Sequence, residues 1–524
     1  MKLYARRVLR SRPRRTAPAP GLVDVDLLYV SDLRFPGGTS TSLVEELDAS
    51  LAAGYSVALL HLQSTSLSAE RPFHPALQGL VDDGRVALLV PGRGTRARLV
   101  VVKHPTVMAR SLGGRLPVDA ERVVVAAGQV PVDPDGTVHY HPATVDANVV
   151  EALGHRPTWA PVGPEVRARL AAAAELGGIE LSADDWVEVI DTTSWSVDRR
   201  RSRSGGPVIG RHSRPSPLKW PATAEELLAA YPDEPPGPGA VRVRVLGGSA
   251  GVAEVLGREP AHWQVLEFGA MPAREFLSGI DVYVYFHHPD MVEAFGRGIL
   301  EALASGAVVV LAEHFRSLFG DACIYAVPAD VRRIVVDLHA DHDAYLAQSE
   351  RGRRVVEQRF SHAAHVARLQ SLIGPPAGGS RPVAAGTAPS AGVAIAPGWA
   401  AQLQVVLVVG LEASPRQVEQ AVRRLGELRD RSGTFVPVVA ATMAPPPIAA
   451  ELGVEFETVT SRANWKGAAD RWPEYAQRRV RGIARTHGAR SIVPLDLAHP
   501  DSRLVLGVRL PLAGTHQDDS ATGR

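Results

Sequence analysis

The stretch Glu293-Ala-Phe-Gly-Arg-Gly-Ile-Leu-Glu301 sets two carboxylates and two glycines where a loop turns into a helix-compatible segment. Gly296 and Gly298 let the backbone come close to a ligand, and a helix beginning there points free N–H groups and the positive end of its dipole at an anion. Glu293 precedes that helix and Glu301 lies about two turns inside it, so the two carboxylates sit at different depths of one cleft. They do not flank a single bond as a hydrolase pair would.

Other chemistry-bearing residues are weaker signals. His104, in Lys103-His104-Pro105, follows a β-like run and stands at a strand's carboxyl end, where α/β proteins bind ligands; a structural histidine is the alternative. His287-His288-Pro289-Asp290 and the His139/His141 pair lack the further spaced ligands of a metal site, so no metal is expected. Cys323 reads as a small core residue, and Trp465 and Trp472 as core, with sugar stacking or partner anchoring as the alternative.

The elements that must position these groups form two α/β series. Runs at Val25–Val30, Ser56–Leu62, Val86–Val90, Leu99–Val102 and Val123–Ala127 read as parallel strands, with Phe35-Pro36-Gly37-Gly38 breaking the first and Ser42–Glu45 in capping-box spacing. A second series runs through Val208–Gly210, Val241–Leu246, Trp263–Phe268, Val282–Phe286, Val308–Leu311 and Ile324–Ala326. Its helices include one capped by Thr223 with Glu226 and one over about Gly296 to Ser305. Past a Pro/Gly/Ala-rich stretch, Leu403–Val409, Thr434–Ala440 and Ser491–Leu495 give a third, small α/β unit whose helix starts at Ser414-Pro415. The expected organisation is a basic flexible tail (1–23), Rossmann-like domains at 24–185 and 186–374, a linker (375–400), an accessory α/β domain (401–512) and a disordered tail (513–524).

The chain has 524 residues, one cysteine and 57 basic against 56 acidic residues, net +1. A disulfide framework is excluded, and a reducing cytoplasm is the natural compartment. No apolar run is long enough to span a bilayer. The first fifteen residues carry seven basic residues and no acid, which leaves the body slightly acidic and disfavours nucleic-acid binding. That tail is a solvated extension, or a peripheral contact with anionic headgroups at the inner face of the membrane at roughly 1 kcal/mol per basic residue. Only four basic residues are lysine, so Lys219 is a departure from the chain's own habit.

The two glutamates around Phe-Gly, the Ala-x-x-x-Gly helix end and the following apolar strand resemble the donor site of retaining glycosyltransferases of the GT-B fold, glycosyltransferase family 4. The resemblance covers roughly residues 24 to 374. It implies two Rossmann-like domains facing a cleft, with a helix near Ser361–Ile373 crossing back to the first domain. It also implies transfer of a sugar from a nucleotide-diphosphate sugar, as co-substrate, to a glycan, glycolipid or small-molecule acceptor without a metal or a permanent cofactor. Carried over residue by residue, Glu301 would hold the ribose and Glu293 the donor sugar, with the amides of Phe295, Gly296 and Arg297 facing sugar and phosphates. Gly210-Arg211 resembles the family's Gly-Arg; Arg211 and Lys219 would neutralise the diphosphate, and Gly37 and Gly38 would let the first domain close over it. His104 resembles the acceptor-side histidine. In the family a Lys-Gly pair follows Gly-Arg closely; here His212 to Leu218 intervene and Trp220 replaces the glycine, so Arg214 is an alternative to Lys219. A nucleotide-sugar epimerase or hydrolase, and a binding or scaffold subunit without turnover, are the competing expectations.

Overall fold

The computed structural model describes residues 22–67, 71–90, 94–199, 205–377, 396–433, 435–489 and 491–495. The basic tail to residue 21, most of the Pro/Gly/Ala stretch and the C-terminal tail lie outside the described residues.

The first sheet holds β1 (Leu22–Ser31), β2 (Val57–His61), β3 (Ala87–Leu88), β4 (Gly94–Lys103), β5 (Val118–Ala120), β6 (Val123–Ala127), β7 (Thr158–Pro161) and β8 (Glu180–Leu181). Its order is β3-β2-β1-β4-β6-β7-β8, with β5 beside β4. The second holds β9 (Val208–His212), β10 (Arg242–Leu246), β11 (Gln264–Leu266), β12 (Val282–Tyr285), β13 (Val308–Leu311) and β14 (Ile324–Tyr325) in the order β11-β10-β9-β12-β13-β14. The third runs β17 (Glu455–Thr458), β16 (Phe435–Ala441), β15 (Gln404–Gly410), β18 (Ser491–Pro494). Among the described residues every pairing between these strands is parallel. Parallel strands are covered on both faces, which is why β6, β12 and β13 are apolar or aromatic along their whole length, and β2 up to its last residue His61, all wholly buried rather than alternating. The switch of strand order at β1/β4 and at β9/β12 opens a crevice at the carboxyl ends of each sheet, and the two crevices face one another. This is the expected GT-B-like architecture.

The helix His362–Ile373 does cross back to the first domain. Ser361 caps it through the Ala364 amide and bridges to Ile190. His365 Nε2 lies 3.4 Å from Tyr29 Oη and 3.3 Å from Ser50 Oγ, and Tyr55 Oη donates to Gly374 O at 2.8 Å.

Two local expectations are corrected. The capping-box spacing at Ser42–Glu45 does not start a helix: the helix is Gly38–Ala52, capped by Gly37 at φ +73°, and Ser42 is a buried position inside it. A positive-φ glycine supplies the turn that no side chain supplies. The end of the expected linker is also docked: Trp399 is buried against the first domain, and the Gly398 amide donates to Leu112 O at 2.6 Å. The third unit then abuts the β3 edge, with Gly433 beside Leu88 and Gln78 Nε2 3.3 Å from Arg431 O. Trp472 is core, and Trp465 stacks on Tyr475.

Candidate active site

Between the first two domains lies a cleft of about 490 Å³. Two helices point their N-termini into it. The helix Gly38–Ala52 begins behind Gly37, and the helix Arg297–Ala304 begins behind Gly296, which sits in the left-handed region at φ +92°. Neither has a side-chain cap, whereas Thr223, Ser361 and Ser414 cap the helices they precede. Unsatisfied N–H groups and two converging dipoles therefore meet in one cavity, which is an anion-binding arrangement.

Lys219, Arg214 and Arg297 line the same cleft, as do Glu293, Phe295, Gly296, Gly38 and His104. Lys219 pairs with Glu293, whose Oε2 also accepts from Tyr285 Oη at 2.5 Å. Burial would raise the Glu293 carboxyl, but the Lys219 charge and hydrogen bond and the Tyr285 hydroxyl outweigh it and hold it below the ordinary carboxylate range. Gly37 faces Arg214: a Cβ there would lie 3.4 Å from the arginine Cδ, an ordinary contact. Gly38 similarly faces the Arg297 Cβ. Two arginines of the second domain thus stand against the glycine loop at ordinary contact distance, and it is the positive φ of Gly37 that calls for glycine there.

Arg297 also ties the domains together. Its Nη2 donates to Glu45 at 3.1 Å, its Nη1 to Val189 O at 2.6 Å and its Nε to Glu301 at 3.0 Å. Glu45 in turn meets His362 Nε2 at 2.6 Å.

Three expected site residues stand elsewhere. Arg211 is wholly buried behind the cleft, 4.1 Å over the Trp220 ring and 4.8 Å over Tyr285, with Nη1 on Tyr231 Oη and Phe286 O, so it does not line the cavity. Arg214, the alternative cation, occupies the wall instead. Gly210 is a packing residue: a Cβ would lie 2.7 Å from Ile280 Cγ2 and 2.8 Å from Arg244 O. Glu301 is buried against His212 Nε2 at 2.7 Å and Arg297, and those partners outweigh desolvation to keep it ionised. It is shielded from the cleft as it stands.

His104 is one of two non-glycine residues at positive φ (+85°) among the described residues. Its Nδ1 lies 2.7 Å from Thr106 Oγ1, and its ring packs on Phe35. Desolvation brings its pKa down to about 4, so it is neutral at pH 7. Strained backbone at a cleft wall fits a functional position.

Sequence reasoning missed Tyr285, His212, Glu45 and Glu188. Glu188 gave one signal, a lone charge inside the apolar run Trp186-Val187-Glu188-Val189-Ile190. A second chamber of about 660 Å³ adjoins at Glu293, with His287 and His314 on its wall, their Nε2 atoms 3.2 Å apart. Among the described residues no three His, Cys, Asp or Glu side chains are grouped as metal ligands, and no helix is long and apolar enough to cross a membrane.

No protein-family model and no curated protein matches the chain. Among solved structures, sucrose-phosphate synthase from Thermosynechococcus elongatus is similar over 66% of this chain and 98% of its own, at 13% identity and a TM-score of 0.46. An alpha-glucosyltransferase in complex with UDP-glucose and DNA containing an abasic site matches over 67% and 99%, at 11% identity and 0.44. WaaG, a glycosyltransferase involved in lipopolysaccharide biosynthesis, matches over 66% and 100%, at 12% identity and 0.41. At these identities and scores the likeness says nothing of activity.

Proposed function

We propose that the protein is a retaining glycosyltransferase that moves a sugar from a nucleotide-diphosphate sugar to an acceptor hydroxyl. The observation that carries this reading is the meeting of two uncapped helix N-termini with Lys219, Arg214 and Arg297 in one interdomain cleft beside Glu293.

A diphosphate seated there would be neutralised by the cations and amides, and the charge that develops as the glycosidic bond breaks falls on that diphosphate. Glu293, kept ionised, would accept hydrogen bonds from donor-sugar hydroxyls, with Tyr285 and Lys219 orienting it. His104, being neutral, can accept or donate one hydrogen bond at the reacting face without adding charge. Retention follows the family resemblance: the acceptor approaches on the side of the leaving group, whose phosphate oxygen takes the acceptor's proton. Glu301 would reach a ribose only by giving up His212 or sharing it, so donor binding is expected to rearrange that pair.

Carbohydrate and glycolipid acceptors both fit the reading, and with it we propose a site of action in the cytoplasm or at the inner face of the cell membrane. The test is proton NMR of the product formed from an α-linked nucleotide sugar, in the presence of chelator. An α product supports the reading; a β product, or sugar released to water at the same rate with and without acceptors, refutes transfer with retention.

A further inference from the structure

The two walls of the cleft differ in their cations, although the second domain also brings the carboxyl groups of Glu293, paired with Lys219, and Asp290 to it. All the cations lining it, Arg214, Lys219 and Arg297, belong to the second domain. The facing wall offers Thr39, Ser66, Gln129 and the neutral His104 of the first domain, Asp133, which meets His139 Nε2 at 2.7 Å, and the carboxyl group of Glu188 on the crossover between the domains. The first-domain cations nearest to it are already committed: Lys103 to the buried Glu46, and Arg34 to Asp32. Such a wall can hydrogen-bond hydroxyls but meets a phosphate with like charge.

Glu188 is the least satisfied group on that wall. It lies on the crossover from the first sheet to the second, between Trp186, whose amide donates to Pro161 O at 2.6 Å, and Val189, whose carbonyl takes Arg297. Its Oε2 is shut off from solvent with no hydrogen-bond partner, and the nearest cation, Arg297 Nη1, stands 4.0 Å away. A carboxyl at a cleft wall with one oxygen dry and short of donors, its side chain still 15% exposed, is stabilised by a hydroxyl placed against it.

Resting on the transferase reading, we infer that Glu188 is the hydroxyl ligand of the acceptor subsite, and that the acceptor is an uncharged polyhydroxyl compound rather than a phosphorylated one. Burial holds the Glu188 pKa up at about 7, so near neutral pH it can accept or donate as the hydroxyl demands.

The experiment uses the full chain. Thermal shift with UDP-, GDP- and ADP-sugars first identifies the donor. Initial rates are then measured with neutral mono- and disaccharides and with the corresponding sugar phosphates, for wild type, Glu188→Ala and Glu188→Gln. The expected result is turnover of neutral acceptors, an acceptor KM raised about tenfold or more in Glu188→Ala with the donor's thermal shift retained, and partial rescue by the isosteric Glu188→Gln. Preference for a sugar phosphate, or an acceptor KM unchanged in both variants, overturns the inference while leaving the donor site standing. Absence of any donor shift in wild type overturns the transferase reading, and this inference with it.

Discussion

Replacing Glu188 by glutamine makes the protein more stable in alkali and not in acid. The carboxyl has a reference pKa of 4.5 and is raised to about 7 by desolvation, which outweighs the attraction of Arg297 and Lys103. A group whose folded pKa is raised contributes fully below its unfolded value, and that contribution is lost as pH climbs through the folded value. The native state must therefore ionise a buried acid above about pH 7, at a cost bounded by some 2.5 pKa units, or about 3 kcal/mol. With residual solvation and relaxation, a gain on the order of 1–3 kcal/mol for Glu188→Gln at about pH 8.5 is the working figure, against little change at about pH 5. For a domain of this size that is a rise of several degrees in thermal midpoint at the higher pH. Calorimetry of both proteins at the two pH values, at matched ionic strength, measures it. An equal shift at both values, or a loss of stability at pH 8.5, refutes the assignment of Glu188 as a desolvated, unpartnered acid.

Further outcomes follow from the same contacts. Arg297→Ala leaves Glu45 and Glu301 buried without their shared cation and should cost about 3–5 kcal/mol, seen as a lower denaturation midpoint. Gly37→Ala forces an alanine to φ +73° against Arg214, and should lose about 1–2 kcal/mol of stability together with donor affinity in a titration. Burial depresses His61 and His104 to about 4 and His365 to about 3, so the unfolded chain binds more protons below pH 6.5. Stability should fall as pH drops from 6.5 toward 4, each histidine adding up to about 1.4 kcal/mol per pH unit, and chemical denaturation at stepped pH would show a flat profile if they are not buried neutral. Glu293→Gln removes the partner of Lys219 and should lower kcat/KM about a hundredfold, with a smaller effect on donor affinity, measured by steady-state kinetics.

The parts of this architecture that follow from apolar burial were legible in the sequence. β6 and β13 coincide with their expected runs, because a strand buried on both faces must be apolar throughout. The Thr223 and Ser414 caps were readable because a side chain does the capping. β7 was not: its four residues include Pro161 and pair only once the neighbouring strands are in place. The Gly37 cap was hidden because a backbone conformation does the work there. In the candidate site, the Glu293 to Arg297 stretch, which lines the cleft, was legible because it is local in sequence. Arg211 was misplaced because Trp220, Tyr231 and Tyr285, which enclose it, converge only through tertiary packing. Glu188 shows in the sequence only as a lone charge inside the apolar run Trp186 to Ile190, and acquires its character from a cleft that two distant segments close.

The central claim is that the cleft holds a nucleotide diphosphate on the second domain's cations and helix amides. Calorimetric titration of the full chain with the nucleoside diphosphate product, for wild type, Lys219→Ala and Arg214→Ala, tests it most directly. The account predicts saturable binding by wild type, weakened about tenfold or more by each substitution and further by raised salt. Binding that survives both substitutions unchanged would contradict it.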